Sequence, residues 1–489
     1  MRIRKNVNEI KDGTLLWYSK AVEEMKKRDI TDPTSWWYQA AIHGFGLSEQ
    51  TDPEHGEPWS QYSIWEQAAG LPTNKVKAEA LARDITNKGF WQQCQHGSWF
   101  FLPWHRMYLQ YFEEIVSKTI VDLGGPEDWA LPYWNYCDGN NQHLNTTEQS
   151  HALLLPPEFG TTAPNPDFPG LWMKERVHYG VSHRDAACEN SMERATFASA
   201  KGEKAGFGGF QNTFSHASDT FGALESNPHN LIHVAIAGAM GDPDTAALDP
   251  IFWLHHANID RLWQNWIEQG HSNADSSNWL NQSFDFHNAN AQHVSPKVNS
   301  VLKTEELGYT YSRNYPLTTT LDKLMISNIT QPKEKEMFDT IGATSSSLKL
   351  TSEAVKTPIE FLPSNKSKAN LSALDSAEAP ERTSVIIMLE NITGNGVIAP
   401  IDVYIRALNS SERLYVGRIG LFGLKQASTP SAQHAGTGLN TQLDATEVFH
   451  ALRGQANWQL EDIHIEIEPS RKLGASNATI GRISIKAEV

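Results

Sequence analysis

The pattern of hydrophobic and polar positions divides the chain into two parts. Up to about residue 340, segments rich in aromatic and aliphatic residues alternate with Gly/Ser/Asn/His-rich stretches such as 138–151 and 201–220. The first kind reads as helix, the second as loop. Asp32-Pro33, Leu102-Pro103, Asn227-Pro228 and Asp249-Pro250 each place a proline where a helix's first-turn N–H would have no partner. Three of these put Asp or Asn at the capping position. The expected helices include Pro33–Ile42 and a longer one from Pro103 to about Lys118.

Beyond residue 340 the rhythm changes. Residues 341–382 are rich in Ser, Ala and Lys, poor in aromatics, and read as a linker. From 383 to 489 the period becomes two. Ile463, Ile465 and Ile467 alternate with His464, Glu466 and Glu468, as in a strand with one buried face. VIIMLENIT, IDVYIRAL and IGRISIKA are further strands of a small antiparallel β-domain. The expectation is a multidomain α + β chain, a mainly helical part over 1–340 followed by this β-domain.

A chain of 489 residues has room for such domains. Its formal charge of −16 argues against nucleic acid or an anionic membrane surface as the main partner. No apolar run has the roughly 18–20 residues of a membrane helix, and no signal peptide is recognised, so a cytoplasmic location is the default expectation. Three cysteines cannot build a disulfide framework, and oxidative stabilisation is not expected.

The 19 histidines cluster. His229 and His233 are four apart, so on a helix both rings leave one face about a turn apart and can bind one metal ion. Such a pair alone is ambiguous. His256 lies in the helix opened by Asp249-Pro250, with Asp260 one turn further on. A carboxylate there can accept the free ring N–H of a ligand histidine. His255 points about 100° away from His256. His105 begins the helix after Pro103, and His96 lies in the preceding loop. His43 ends the apolar segment SWWYQAAIHG before Gly44, where an ordinary buried histidine is the competing reading. Six histidines then form two sets of three. Neutral imidazoles suit zinc, copper, iron or nickel, and three ligands per metal leave open positions for chemistry. Copper fits best, because Cu(I) tolerates low coordination and can pass an electron to oxygen.

Residues 90–113 and 225–263 resemble the paired copper-binding motifs of the type-3 copper proteins: tyrosinases, catechol oxidases and hemocyanins. SWWYQAAIHG and WALPYWNYCDG extend the likeness over most of 30–270. The resemblance implies a four-helix bundle around a dicopper site in the 1–340 domain. His43, His96 and His105 would hold one copper, and His229, His233 and His256 the other. Cys94 resembles the cysteine that forms a thioether to His96. Asn230 and Glu225 resemble residues that hold a water near the second copper, and His233 is the ring on which a phenol would stack. The implied function uses two copper ions and O2 to oxidise a small phenolic substrate, an o-diphenol, to an o-quinone. The resemblance leaves open whether a monophenol is also hydroxylated ortho to its hydroxyl. A hemocyanin-like oxygen carrier and an o-aminophenol oxidase share the same motifs. The C-terminal strands resemble the β-sandwich that follows, and can shield, the copper domain in long polyphenol oxidases. Phe422 is a candidate to enter the site, with burial in its own domain's core the favoured reading. Cys137 and Cys188 have no assigned role.

Overall fold

The computed structural model describes residues 1–45, 90, 91, 93–142, 144–212, 220–312, 338–361, 383–396, 398–407, 412–430, 435–453, 463–473 and 477–488. The chain divides into two units. The first comprises Met1–Gln95, Phe100–Glu193 and Ala235–Thr330. The second comprises His96–Trp99, Arg194–Val234 and Gln331–Val489.

The helices of the first unit include α1 (Thr14–Lys27), α2 (Trp36–His43), α3 (Phe101–Asp122) and α5 (Ile251–Glu268). At α2 and α5 a side chain near the start fixes it more closely than the proline does. The helix expected at Pro33 begins at Trp36, because Ser35 accepts the N–H of Tyr38 at 3.1 Å while Asp32 is occupied with Thr34. Such a cap is worth about 1 kcal/mol. At α5, Asp249 accepts the N–H of Ile251 at 3.1 Å and is itself paired with buried Arg176. Helix α3 runs past its expected end to Asp122 and stops before Gly124, which adopts φ +82°. The boundary between the units falls inside α4 (Leu231–Ile236), which follows an irregular turn at Asn227.

A buried ion network ties the helices to the N-terminal strand. Strand β1 (Arg2–Arg4) pairs in parallel with β2 (Tyr309–Tyr311). Asp260 on α5 accepts from Arg4 at 3.2 Å, Arg106 at 2.5 Å, Tyr309 at 2.7 Å and Tyr311 at 2.5 Å. Arg4 also pairs with Glu113 on α3 and lies over the Tyr309 ring. Two arginines and two phenols satisfy the lone pairs that a buried carboxylate would otherwise leave desolvated at high cost.

The second unit holds two antiparallel sheets. Their strands are β3 (Phe338–Ala343), β4 (Leu348–Lys349), β5 (Val355–Pro358), β6 (Glu360–Phe361), β7 (Val385–Asn395), β8 (Ile401–Ala407), β9 (Leu414–Ile419), β10 (Leu439–Asp444), β11 (Ile463–Pro469) and β12 (Asn477–Glu488). One sheet runs β6-β3-β12-β7-β10, with β4 also on β12; the other runs β9-β8-β11-β5. Ile387, Leu389, Val403, Ile405, Ile465, Ile467, Ile483 and Ile485 meet in one apolar core. Strand β7 reads as a continuous apolar run because its other face is covered too. Ile386 and Met388, on that face, are 1% and 9% exposed. They share a cavity of about 260 Å³ with Phe210 and Thr220.

Two expectations need correction. Residues 341–361, read as the start of a linker, carry strands β3 to β6. These are short pieces with many exposed side chains, so composition concealed them; 362–382 lie outside the described residues. Cys137 and Cys188 form a disulfide across 51 positions of the sequence, so oxidative stabilisation is part of this fold. Counting cysteines missed it because a single bridge needs no framework.

Candidate metal centre

Each unit contributes three of the six histidines. In the first, His43 ends α2 and its Nδ1 donates to the carbonyl of Pro243 at 2.7 Å. His105, in the second turn of α3, donates from Nδ1 to the carbonyl of Phe101 at 2.8 Å. A neutral imidazole whose Nδ1 carries the proton presents its lone pair at Nε2. The ligand atoms of His43, Cys94 and His105 lie within 4.8 Å of one another. His256 on α5 stacks on His105 with ring centroids 4.4 Å apart and 11° between planes. Its neighbour His255 meets the hydroxyl of Tyr136 at 3.1 Å, and burial lowers its pKa to about 3, so it is neutral.

In the second unit, Gly97 at φ +62° takes a turn unsuited to a side chain. Its N–H bonds to Glu225 at 2.9 Å, and the adjacent His96 donates from Nδ1 to the same oxygen at 2.9 Å. Burial pushes the Glu225 carboxyl well up, with the N–H groups of Gly97 and Gly222 opposing. His229 donates from Nδ1 to the Asn230 side-chain oxygen at 2.9 Å, and its ring lies 4.5 Å from that of His233. The rings of His96 and His229 are 5.6 Å apart.

The donors therefore fit a copper pair. All six side chains are buried imidazoles, and in four of them an acceptor on Nδ1 fixes the tautomer. Within one unit His105 lies beside His256, and within the other His96 lies beside His229.

Asp260 does not serve a ligand histidine: its oxygens go to Arg4, Arg106, Tyr309 and Tyr311. Arg106 follows His105 directly, so the guanidinium reaches Asp260 ahead of any imidazole. Glu225 takes the role expected of Asp260, on His96. Asn230 is on His229, and its Nδ2 is buried with no hydrogen-bond partner among the described residues. Cys94 is a buried thiol whose Sγ lies 3.3 Å from His105 Nε2. Phe422 is not in the β-core as favoured. Its ring stacks on His233 and meets His229 and His96 edge-on at 5.8 and 5.5 Å. The pattern Gly420-Leu-Phe-Gly423, an aromatic in a glycine-flanked turn, was the available signal.

Comparison with known proteins identifies the family. The profile of the common central domain of tyrosinase matches residues 33–269, and that of the polyphenol oxidase middle domain matches 273–319. Residues 337–488 match a domain of unknown function, DUF7868. Over 497 aligned residues, covering all of both proteins, the chain is 43% identical to Tyrosinase HcTyr1 of Hahella sp. (strain CCB-MM4). It is 30% identical to the chloroplastic polyphenol oxidase of Malus domestica, over 44% of this chain and 38% of that protein. Latent apple tyrosinase shares the fold across 100% of this chain and 97% of its own, with a TM-score of 0.55 at 22% identity. A functional unit of octopus hemocyanin also matches, with a TM-score of 0.50 at 15% identity and 99% of each chain covered. The chain belongs to the tyrosinase family of type-3 copper proteins. It is a copper-dependent oxidoreductase of the tyrosinase/polyphenol oxidase type, with a binuclear copper site. Among the described residues no helix is long and apolar enough to cross a membrane.

Proposed function

We propose that the protein oxidises o-diphenols to o-quinones with O2 and extends this to ortho-hydroxylation of monophenols. The observation that carries the reading is Phe422, which lies flat on His233 at 4.0 Å. A benzene ring already fits that slot, and a phenol has the same ring. We assign His43, His96 and His105 to one copper and His229, His233 and His256 to the other, at the centre of a four-helix bundle. When bound, the pair supplies oxygen binding and two-electron redox chemistry.

The protein's own groups orient the substrate and handle its protons. Each diphenol gives up two electrons and two protons, and two diphenols reduce one O2 to two waters. A phenol of pKa about 10 must lose its proton to bind a metal at neutral pH. Asn230 Nδ2 and the Glu225 carboxyl hold the water that takes it. Cys94 would be joined to a ring carbon of His96 by a thioether, the S–H and ring C–H hydrogens being lost in a two-electron oxidation by O2, and the bond would pin that ring. The Cys137–Cys188 bridge supports maturation in an oxidising compartment rather than the cytoplasm.

With Phe422 in the slot this form is latent, and the β-domain shields the site. The test is oxygen uptake on a catechol and on tyrosine, before and after limited proteolysis. Quinone formation that rises after cleavage supports the reading. Reversible oxygen binding with no quinone under either condition overturns it in favour of a carrier.

A further inference from the structure

We propose that the β-strand region braces the segment carrying His229 and His233, and that Arg471 is a positioning residue for it. What those histidines do rests on the copper reading above; the brace itself does not. Cutting the chain at 340 would separate cover from enzyme, yet the contacts place Arg194–Val234 in the same unit as the strands.

Four attachments hold the segment. At its start, Asp444 of β10 pairs with Lys204 and, at 3.7 Å, with Arg194. In its middle, Thr220 bridges Asn440 in parallel, and Phe210 lines one cavity with Ile386 and Met388. At the histidines, Gly420 approaches the main chain so closely that a Cβ there would sit 2.7 Å from the carbonyl of Asn230. Last, Arg471, just after β11, donates from Nη2 to the carbonyl of Val234 at 3.0 Å. That carbonyl belongs to the closing turn of α4, where helical acceptors lack intrahelical partners and a cation is favoured. It follows His233 directly, so Arg471 sets the end of the helix that carries His233, one of the rings that would hold the second copper. The domain of unknown function is then part of the metal site's framework as well as its cover.

The test compares Arg471→Ala and Arg471→Lys with the wild-type full chain, first without metal. A hydrogen bond from a charged donor is worth about tenfold in a local opening equilibrium. Amide exchange over 229–236 is expected to speed up about tenfold in Arg471→Ala and to recover in Arg471→Lys, with exchange in α3 unchanged. After copper loading, Arg471→Ala should release one copper to a chelator about tenfold faster than wild type. Unchanged exchange over 229–236 overturns the proposal. If Arg471→Ala does not fold, Asp444→Asn removes the attachment at the other end. Faster exchange confined to 194–234 then supports the brace, and no change there refutes it. A wild-type chain that binds no copper would overturn the copper reading, while the metal-free exchange would still decide the brace.

Discussion

The ring of Phe422 lies 4.0 Å from that of His233, with 14° between their planes. A phenol that stacks on His233 must first displace it, and an aromatic pair of this kind is worth about 0.5–1.5 kcal/mol beyond its buried area. Phe422→Ala in the full chain should therefore raise kcat/KM for a catechol about tenfold without changing copper content. Steady-state kinetics with metal analysis check this.

Glu225 fixes the ring of His96 through one carboxylate oxygen. Removing such a partner typically costs about 10–100-fold in metal affinity or activity. Glu225→Ala should show that loss, with Glu225→Gln closer to wild type because the amide oxygen still accepts from Nδ1. Copper titration of the two variants separates them.

The Asp260 cluster ties α3 and α5 to the paired strands β1 and β2. Asp260→Ala leaves Arg4 and Arg106 without this shared carboxylate in a buried site, and breaking such a pair costs about 3–5 kcal/mol. Urea unfolding should show the loss as a lower midpoint.

The same carboxylate sets a pH dependence. Burial pushes Asp260 up, but Arg106, Arg4 and the two tyrosine hydroxyls outweigh it and hold the group below its usual 3.8. With the folded pKa below the unfolded one, the stabilisation is complete above pH 3.8 and is lost as pH falls through the folded value. Thermal unfolding midpoints should be level from pH 6 to about 5 as far as this group is concerned, and should drop below about pH 4.

Much of the centre was legible from spacing. His233 lies on α4 and His229 in the turn just before it, with their rings 4.5 Å apart as a spacing of four allows, and His256 follows the start at Asp249. His96 was legible only through resemblance, since its position depends on a glycine turn that meets Glu225, 129 residues away. Asp260 was misread because periodicity gives its face on α5 but not that Arg106 occupies it. The strands within 341–361 escaped because they are short: β4, β5 and β6 are edge strands of two to four residues, and β3 adds only Ile341, Gly342 and Ala343 to the segment. Phe422 was misplaced for a related reason: an aromatic in a β-domain reads as core until the element facing it is known.

The most direct test is copper analysis with oxygen uptake on a catechol, for the wild-type chain and His256→Ala. The account predicts two copper ions per wild-type chain with quinone formation after the slot is opened. His256→Ala should lose a copper and all turnover. Full copper loading with near-normal turnover in His256→Ala would contradict it.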